Sequence, residues 1–156
     1  MIFPGLRLGY LVVPQPLVAS FIGARFLLDR QAPTLTQIIV AEFMRQGFFA
    51  AHVRRMRLLY RDRRDFLVAE LQARLGETID VTAPEQGMQL VAYLRDGRAD
   101  VPLETALRAQ GIIVRALSRM YRKAPPRQGF LLGFTGFTPQ TIKPAVARLA
   151  KVVASS

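Results

Sequence analysis

Cysteine is absent from the 156 residues, which excludes disulfides, thiolate metal sites and a cysteine nucleophile. The absence fits a cytoplasmic protein. Histidine occurs once, at His52, so no histidine pair can build a metal site, and no metal ligands are assigned. His52 reads as a hydrogen-bonding residue near a helix start. Lysine occurs three times, at Lys123, Lys143 and Lys151. The carboxylates are scattered singly, and neither a G-x-S-x-G elbow nor a phosphate-cradling glycine loop is present. No catalytic constellation follows from these residues. The longest uncharged run, Leu8 to Ala24, is short for a membrane span and is broken by Pro14 and Pro16. It also lacks the basic leader and small-residue cleavage pattern of a signal peptide, so neither a membrane partner nor a targeting segment is expected.

What the sequence does contain is apolar and basic. Hydrophobic residues make up 51%, enough for a packed globular chain. The net charge of +11 and the pI near 11.3 raise nucleic-acid binding as a hypothesis. Its sharpest form is the cluster Arg54, Arg55, Arg57, Arg61, Arg63 and Arg64, of which Arg54, Arg57 and Arg61 share a helix flank and could line up on phosphates. The rival reading, a solvated helix face with Asp62 and Asp65 as local partners, is favoured because aromatic residues for base stacking are sparse there.

Along the chain, Leu8 to Val13 reads as a buried strand, and Pro14-Gln15-Pro16 as a turn. A helix over Leu17 to Asp29 follows. Thr34 or Thr36 could cap another, from about Leu35 to Gln46, closed by Gly47. A long helix from Phe48 to Leu75 stops at Gly76, with Val53, Met56, Tyr60, Leu67 and Leu71 as its apolar stripe. Shorter elements follow: strands at Ile79 to Thr82 and Met88 to Leu94, and a helix at Pro102 to Gln110. Further strands are expected at Ile112 to Ala116 and Phe130 to Thr135, and a last helix opens at Thr138-Pro139. Its apolar face is Ile142, Val146, Leu149 and Val153, and Pro144 within it predicts a kink or a later start. The strands after Gly111 and at Phe130 to Thr135 should share a small sheet covered on one side by the last two helices. A boundary near Gly76 divides the chain into 1–76 and 77–156.

The opening phrase carries the sharpest motif. Pro4, Arg7, Gly9 and Tyr10 resemble the station of fold-type I pyridoxal phosphate (PLP) proteins that reads Lys, three residues, Pro, two residues, Arg, one residue, Gly, Tyr. The resemblance puts the Schiff-base lysine immediately before Met1. It makes Arg7 a cofactor-binding residue, whose planar donor fork suits the phosphate. The alternative is a strand-opening arginine that faces water.

Other phrases extend the likeness across nearly the whole chain. Phe48 to Leu67, F-F-A-A-H-V-R-R-M-R-L-L-Y-R-D-R-R-D-F-L, resembles the "H-[IL]-R-R-M-R-x-x-Y-x-x-R-R-D" helix of the MocR-like subgroup of GntR-family transcription regulators. Gly111 to Tyr121 resembles the subgroup's "G-V-x-V-x-x-L-S-x-x-Y", and Leu131 to Phe137 with Ile142 to Ala150 resembles its C-terminal phrase. The resemblance implies an α/β fold, the C-terminal half of a fold-type I aminotransferase-like domain. That half holds a large-domain strand and helices, a long connecting helix and a small α/β domain. It also implies a homodimer, PLP in the full-length protein, and a small amino-acid-like or vitamin B6 effector. DNA would be bound through an N-terminal winged-helix domain. Ser118 and Tyr121 fall in the segment that approaches the site. Two departures stand out. Gly87-Met88-Gln89 replaces the subgroup's Gly-Leu-His, and Leu131 lies where aminotransferases place the arginine for the substrate carboxylate. Arg127 is a possible substitute, so Tyr121 and Arg127 are the effector-binding candidates.

Three functions therefore compete: the effector- and PLP-binding part of such a regulator, present as a fragment; a fragment of a class I/II aminotransferase; and a basic nucleic-acid-binding module. Without the lysine, this chain alone is expected to form no covalent PLP adduct and to catalyse no transamination.

Overall fold

The computed structural model describes residues 4–30, 33–123 and 125–155. Their packing forms two compact units, one comprising the residues up to Met56 and the other running from Arg57 onward. Ile2 and Phe3 of the opening phrase lie outside the described residues.

In the first unit, α1 spans Val18–Asp29, α2 spans Thr34–Arg45, and α3 begins at Phe48. Gly47, at φ 79°, makes the left-handed turn that separates α2 from α3. Neither threonine caps α2: Thr34 is its first helical residue, Pro33 holds the capping position, and no side chain closes the end. The expected strand at Leu8 to Val13 is not formed. This stretch has no regular structure, and Tyr10, Leu11 and Val12 are exposed. A strand exists only when neighbours complete its hydrogen-bond ladder. The four strands among the described residues pair with one another in the second unit and offer this segment no partner.

Helix α3 spans Phe48–Leu75, and the second unit is built on its part from Arg57 onward. Leu67, Val68, Leu71 and Leu75 are its buried stripe, at the spacing that places side chains on one helix face. After it come β1 (Ile79–Val81), β2 (Gln89–Leu94), α4 (Asp100–Ala109), β3 (Arg115–Ala116), β4 (Gly129–Gly133) and α5 (Pro139–Ala154). The sheet is antiparallel, in the order β1-β2-β4-β3.

Alternation along the strands sorts its two faces. Leu90, Ala92 and Leu94 of β2, with Phe130 and Leu132 of β4, point inward. They join the α3 stripe, Leu103 and Leu107 of α4, and Ile142, Val146, Leu149 and Val153 of α5 in one core. The small α/β domain expected after Thr78 thus shares its core with the last turns of α3. Only Arg115 and Ala116 of the expected Ile112 to Ala116 strand pair with β4. Ile112 and Val114 are buried without ladder bonds. Pro144 neither delays nor ends α5, which starts at Pro139 and continues through it. The ring is exposed, so it crowds no core neighbour, and the missing donor is on the solvent side.

Candidate functional site

Among the described residues one charged side chain is buried, that of Asp100, with no exposed surface, in the first turn of α4. A buried carboxylate is costly unless its lone pairs are filled. Here they are. Oδ2 accepts the Ser118 amide at 2.9 Å and the Gly129 amide at 3.0 Å, and Oδ1 accepts the Ser118 hydroxyl at 2.5 Å. The Asp100 amide in turn donates to Oε1 of Gln128 at 3.0 Å. One side chain thus ties the start of α4 to the 3-10 turn Leu117–Met120 and to the first residue of β4.

Both effector candidates hang from this frame. Tyr121, half-buried, ends the 3-10 turn, and its amide donates to the Ser118 carbonyl at 3.2 Å. Arg127 precedes Gln128, whose carbonyl accepts the Leu94 amide at 3.0 Å. The Arg127 guanidinium lies over the Tyr93 ring, 3.4 Å from its centroid. A guanidinium stacked on a ring keeps its in-plane N–H edge available for an anion. Gly129, paired with Tyr93, is required by close approach: a Cβ there would stand 2.3 Å from the Ala92 carbonyl oxygen. Residues with side chains at that pairing would push β2 and β4 apart.

The sheet face opposite the core carries Val91, Tyr93 and Leu131, all half-buried, and the exposed Arg115. In the first unit, described by itself, Arg7 is exposed, adopts a positive φ of 50°, and makes no hydrogen bond or ion pair with another described residue. That φ is uncommon for a side chain other than glycine or asparagine.

His52 Nε2 is buried with no hydrogen-bond partner among the described residues, so it braces no helix start among them. Within the arginine cluster, Arg63 donates to the Thr135 carbonyl, while Arg64 donates to the Pro84 carbonyl at 2.8 Å and pairs with Asp65 at 2.7 Å. Arg54, Arg55, Arg57 and Arg61 are exposed. Two of the six arginines are therefore structural. Among the described residues there is no group of side chains suited to a metal ion, and no helix is long and apolar enough to cross a membrane. A cavity of about 200 Å³ between α3, β4 and α5 is walled chiefly by Leu67, Leu71, Leu132, Phe137, Ile142 and Leu149 and holds none of the candidates.

The chain is 35% identical over 148 residues to the probable rhizopine catabolism regulatory protein MocR of Rhizobium meliloti, covering 95% of this chain and 30% of that protein. It is 28% identical over 150 residues to the HTH-type transcriptional regulator YdeL of Bacillus subtilis, covering 95% of this chain and 32% of the relative. The chain thus spans about a third of the length of the curated relatives it matches. In fold it is similar to the multiple substrate aminotransferase of Thermococcus profundus, with a TM-score of 0.89 at 24% identity over 97% of this chain and 38% of that one. The family described as aminotransferase class I and II matches residues 1–149, and the chain belongs to it.

Proposed function

We propose that this chain is part of the PLP-binding, effector-sensing domain of a MocR-like transcription regulator. In this reading 1–76 is the tail of the large domain with its connecting helix, and 77–156 is the small domain. The observation that carries it is the similarity along 95% of the chain to a regulator named for MocR, together with membership of the aminotransferase family. The exposed apolar side chains of the first unit, among them Phe26, Leu28 and Ile38, support a setting in which more protein covers them, as a larger domain and a homodimer would. DNA contact is assigned to a winged-helix domain elsewhere in the full-length protein.

The residues present fit part of the cofactor. Arg7 is exposed with no hydrogen bond or ion pair to another described residue, and its fork matches a phosphate. When bound, PLP supplies an aldehyde that captures amines and a ring that withdraws electrons. Lys123, Lys143 and Lys151 are all exposed, and none is followed by the Pro-x-x-Arg spacing that precedes Arg7. Tyr121 and Arg127, set by the Asp100 frame, are the effector-binding residues, and Arg127 takes the role left open by Leu131. The effector is amino-acid-like or a B6 vitamer, and turnover is not required of it.

The test is to treat the chain with PLP, reduce with borohydride and map modified lysines by mass spectrometry. We expect no stoichiometric labelling of any one lysine here, and stoichiometric labelling of a lysine directly ahead of Met1 in the longer gene product. One fully labelled lysine among the three, with amino-acid turnover, would sink the reading. Failure of the longer product to take up PLP would do the same.

A further inference from the structure

We propose that Arg115 binds the carboxylate of a small organic acid on the open face of the sheet. The inference rests on the effector-binding reading above and gives that site a residue and a ligand class. Directly opposed residues of an antiparallel pair project from the same face, with their Cβ atoms within about 5.5 Å. Leu131 is opposed by Arg115 on one side and by Val91 on the other. The three form one row across β2, β4 and β3. Their neighbours in sequence, Leu90, Leu132 and Ala116, are buried on the core side, which fixes the row to the open face.

The chemistry of this face suits an amphipathic anion. Val91 and Leu131 make an apolar floor. Arg115 stands at its edge, exposed and without a hydrogen bond or ion pair to another described residue. The next row holds Tyr93 with the Arg127 guanidinium over it, and Gly129, which puts no side chain into the space. Two guanidiniums thus flank an apolar floor. The acidic residue on this face, Asp80, is opposed to Tyr93 and lies 3.7 Å from Arg95. A carboxylate reaching the floor can take both donors of the Arg115 fork, while its apolar body covers Val91 and Leu131.

The experiment is a nuclear magnetic resonance titration of the chain with butyrate, using butyramide as the neutral isostere and sodium chloride as the ionic control. We expect butyrate alone to shift the Arg115 Nε–Hε and Leu131 methyl signals saturably. Arg115→Leu should weaken binding about tenfold or more, the loss expected of a charge-assisted pair. The swap Arg115→Leu with Leu131→Arg should restore it, because the two positions share a row. Thermal melting keeps unfolded variants out of the comparison, and Arg115→Gln replaces any that melts early. Equal shifts with butyramide or chloride, shifts confined to Arg127, or a folded swap that fails to bind would each overturn the proposal. PLP labelling reads the cofactor assignment separately, so either idea can fall while the other stands.

Discussion

The Asp100 carboxylate holds Ser118 twice, through its hydroxyl at 2.5 Å and its amide at 2.9 Å. The same carboxylate also holds the Gly129 amide, so one buried group sets both ends of the segment that carries Tyr121 and Arg127. Removing it leaves the buried Gly129 amide and the part-buried Ser118 donors without their acceptor.

We therefore expect Asp100→Ala to cost about 3 kcal/mol, the range for leaving buried donors unpaired by a charged acceptor. Asp100→Asn should cost about 1 kcal/mol. Its amide oxygen can still accept both backbone amides, and its NH2 can donate to the Ser118 hydroxyl, which accepts as well as donates. Urea denaturation of the two variants checks the order, and equal losses would mean that the hydrogen-bond geometry is not what matters.

Gly129 and Gly133 stand at two ends of β4 and should differ in their response to a methyl group. At Gly129 the new Cβ meets the Ala92 carbonyl oxygen at 2.3 Å and the Tyr93 Cα at 3.0 Å, both backbone atoms that only strand separation can relieve. At Gly133 nothing lies within 4 Å. Gly129→Ala should lose about 2–4 kcal/mol, and Gly133→Ala should stay within about 0.5 kcal/mol of the parent. Thermal or urea unfolding of the pair decides it.

Leu71 is wholly buried, whereas Leu58 on the same helix is 58% exposed. Leu71→Ala should cost about 2–5 kcal/mol, and Leu58→Ala well under about 1 kcal/mol. Comparable losses at the two positions would contradict the inclusion of only the later turns of α3 in the core of the second unit.

The Asp96 carboxyl is held below its ordinary value of 3.8, first by the Arg98 backbone amide and then by the Arg98 guanidinium. A depressed folded value means stability that is full above the unfolded value and is lost as pH falls through the folded one. The pair should therefore contribute at neutral pH and fade below 3.8. Asp96→Asn removes the titration. Melting temperatures of parent and variant should differ near neutrality and converge in acid, and a gap that widens in acid would reverse the sign.

How far the sequence could be read depended on the range of the interaction involved. The helix over Phe48 to Leu75 was legible because its punctuation is local: Gly47 and Gly76 sit directly at its ends. The second-unit strands were legible from alternation, with ends shifted by a residue or so at β2 and β4. At Ile112 to Val114 an apolar run was mistaken for a strand. Burial makes the same demand on side chains whether or not a ladder forms. Leu8 to Val13 failed for the converse reason, since apolar character cannot supply ladder partners. Asp100 was missed altogether. Its partners lie 18 and 29 residues away, and the local signal, an acid two residues before Pro102, reads as a helix start and nothing more. Arg127 was legible as a cation, but the Tyr93 ring beneath it was not, because only the folded β2–β4 pairing brings the two together.

The sheet's outermost strands are three residues long at β1 and two at β3. A free edge invites another chain in proportion to the row of unpaired amides and carbonyls it presents, and short edges are how natural sheets decline the invitation. Two or three residues give a foreign strand almost nothing to register against. Self-association of the second unit by adding strands, whether in crowded solution or while the chain is still emerging, is closed off at both margins. Any partner it keeps must recognise side chains.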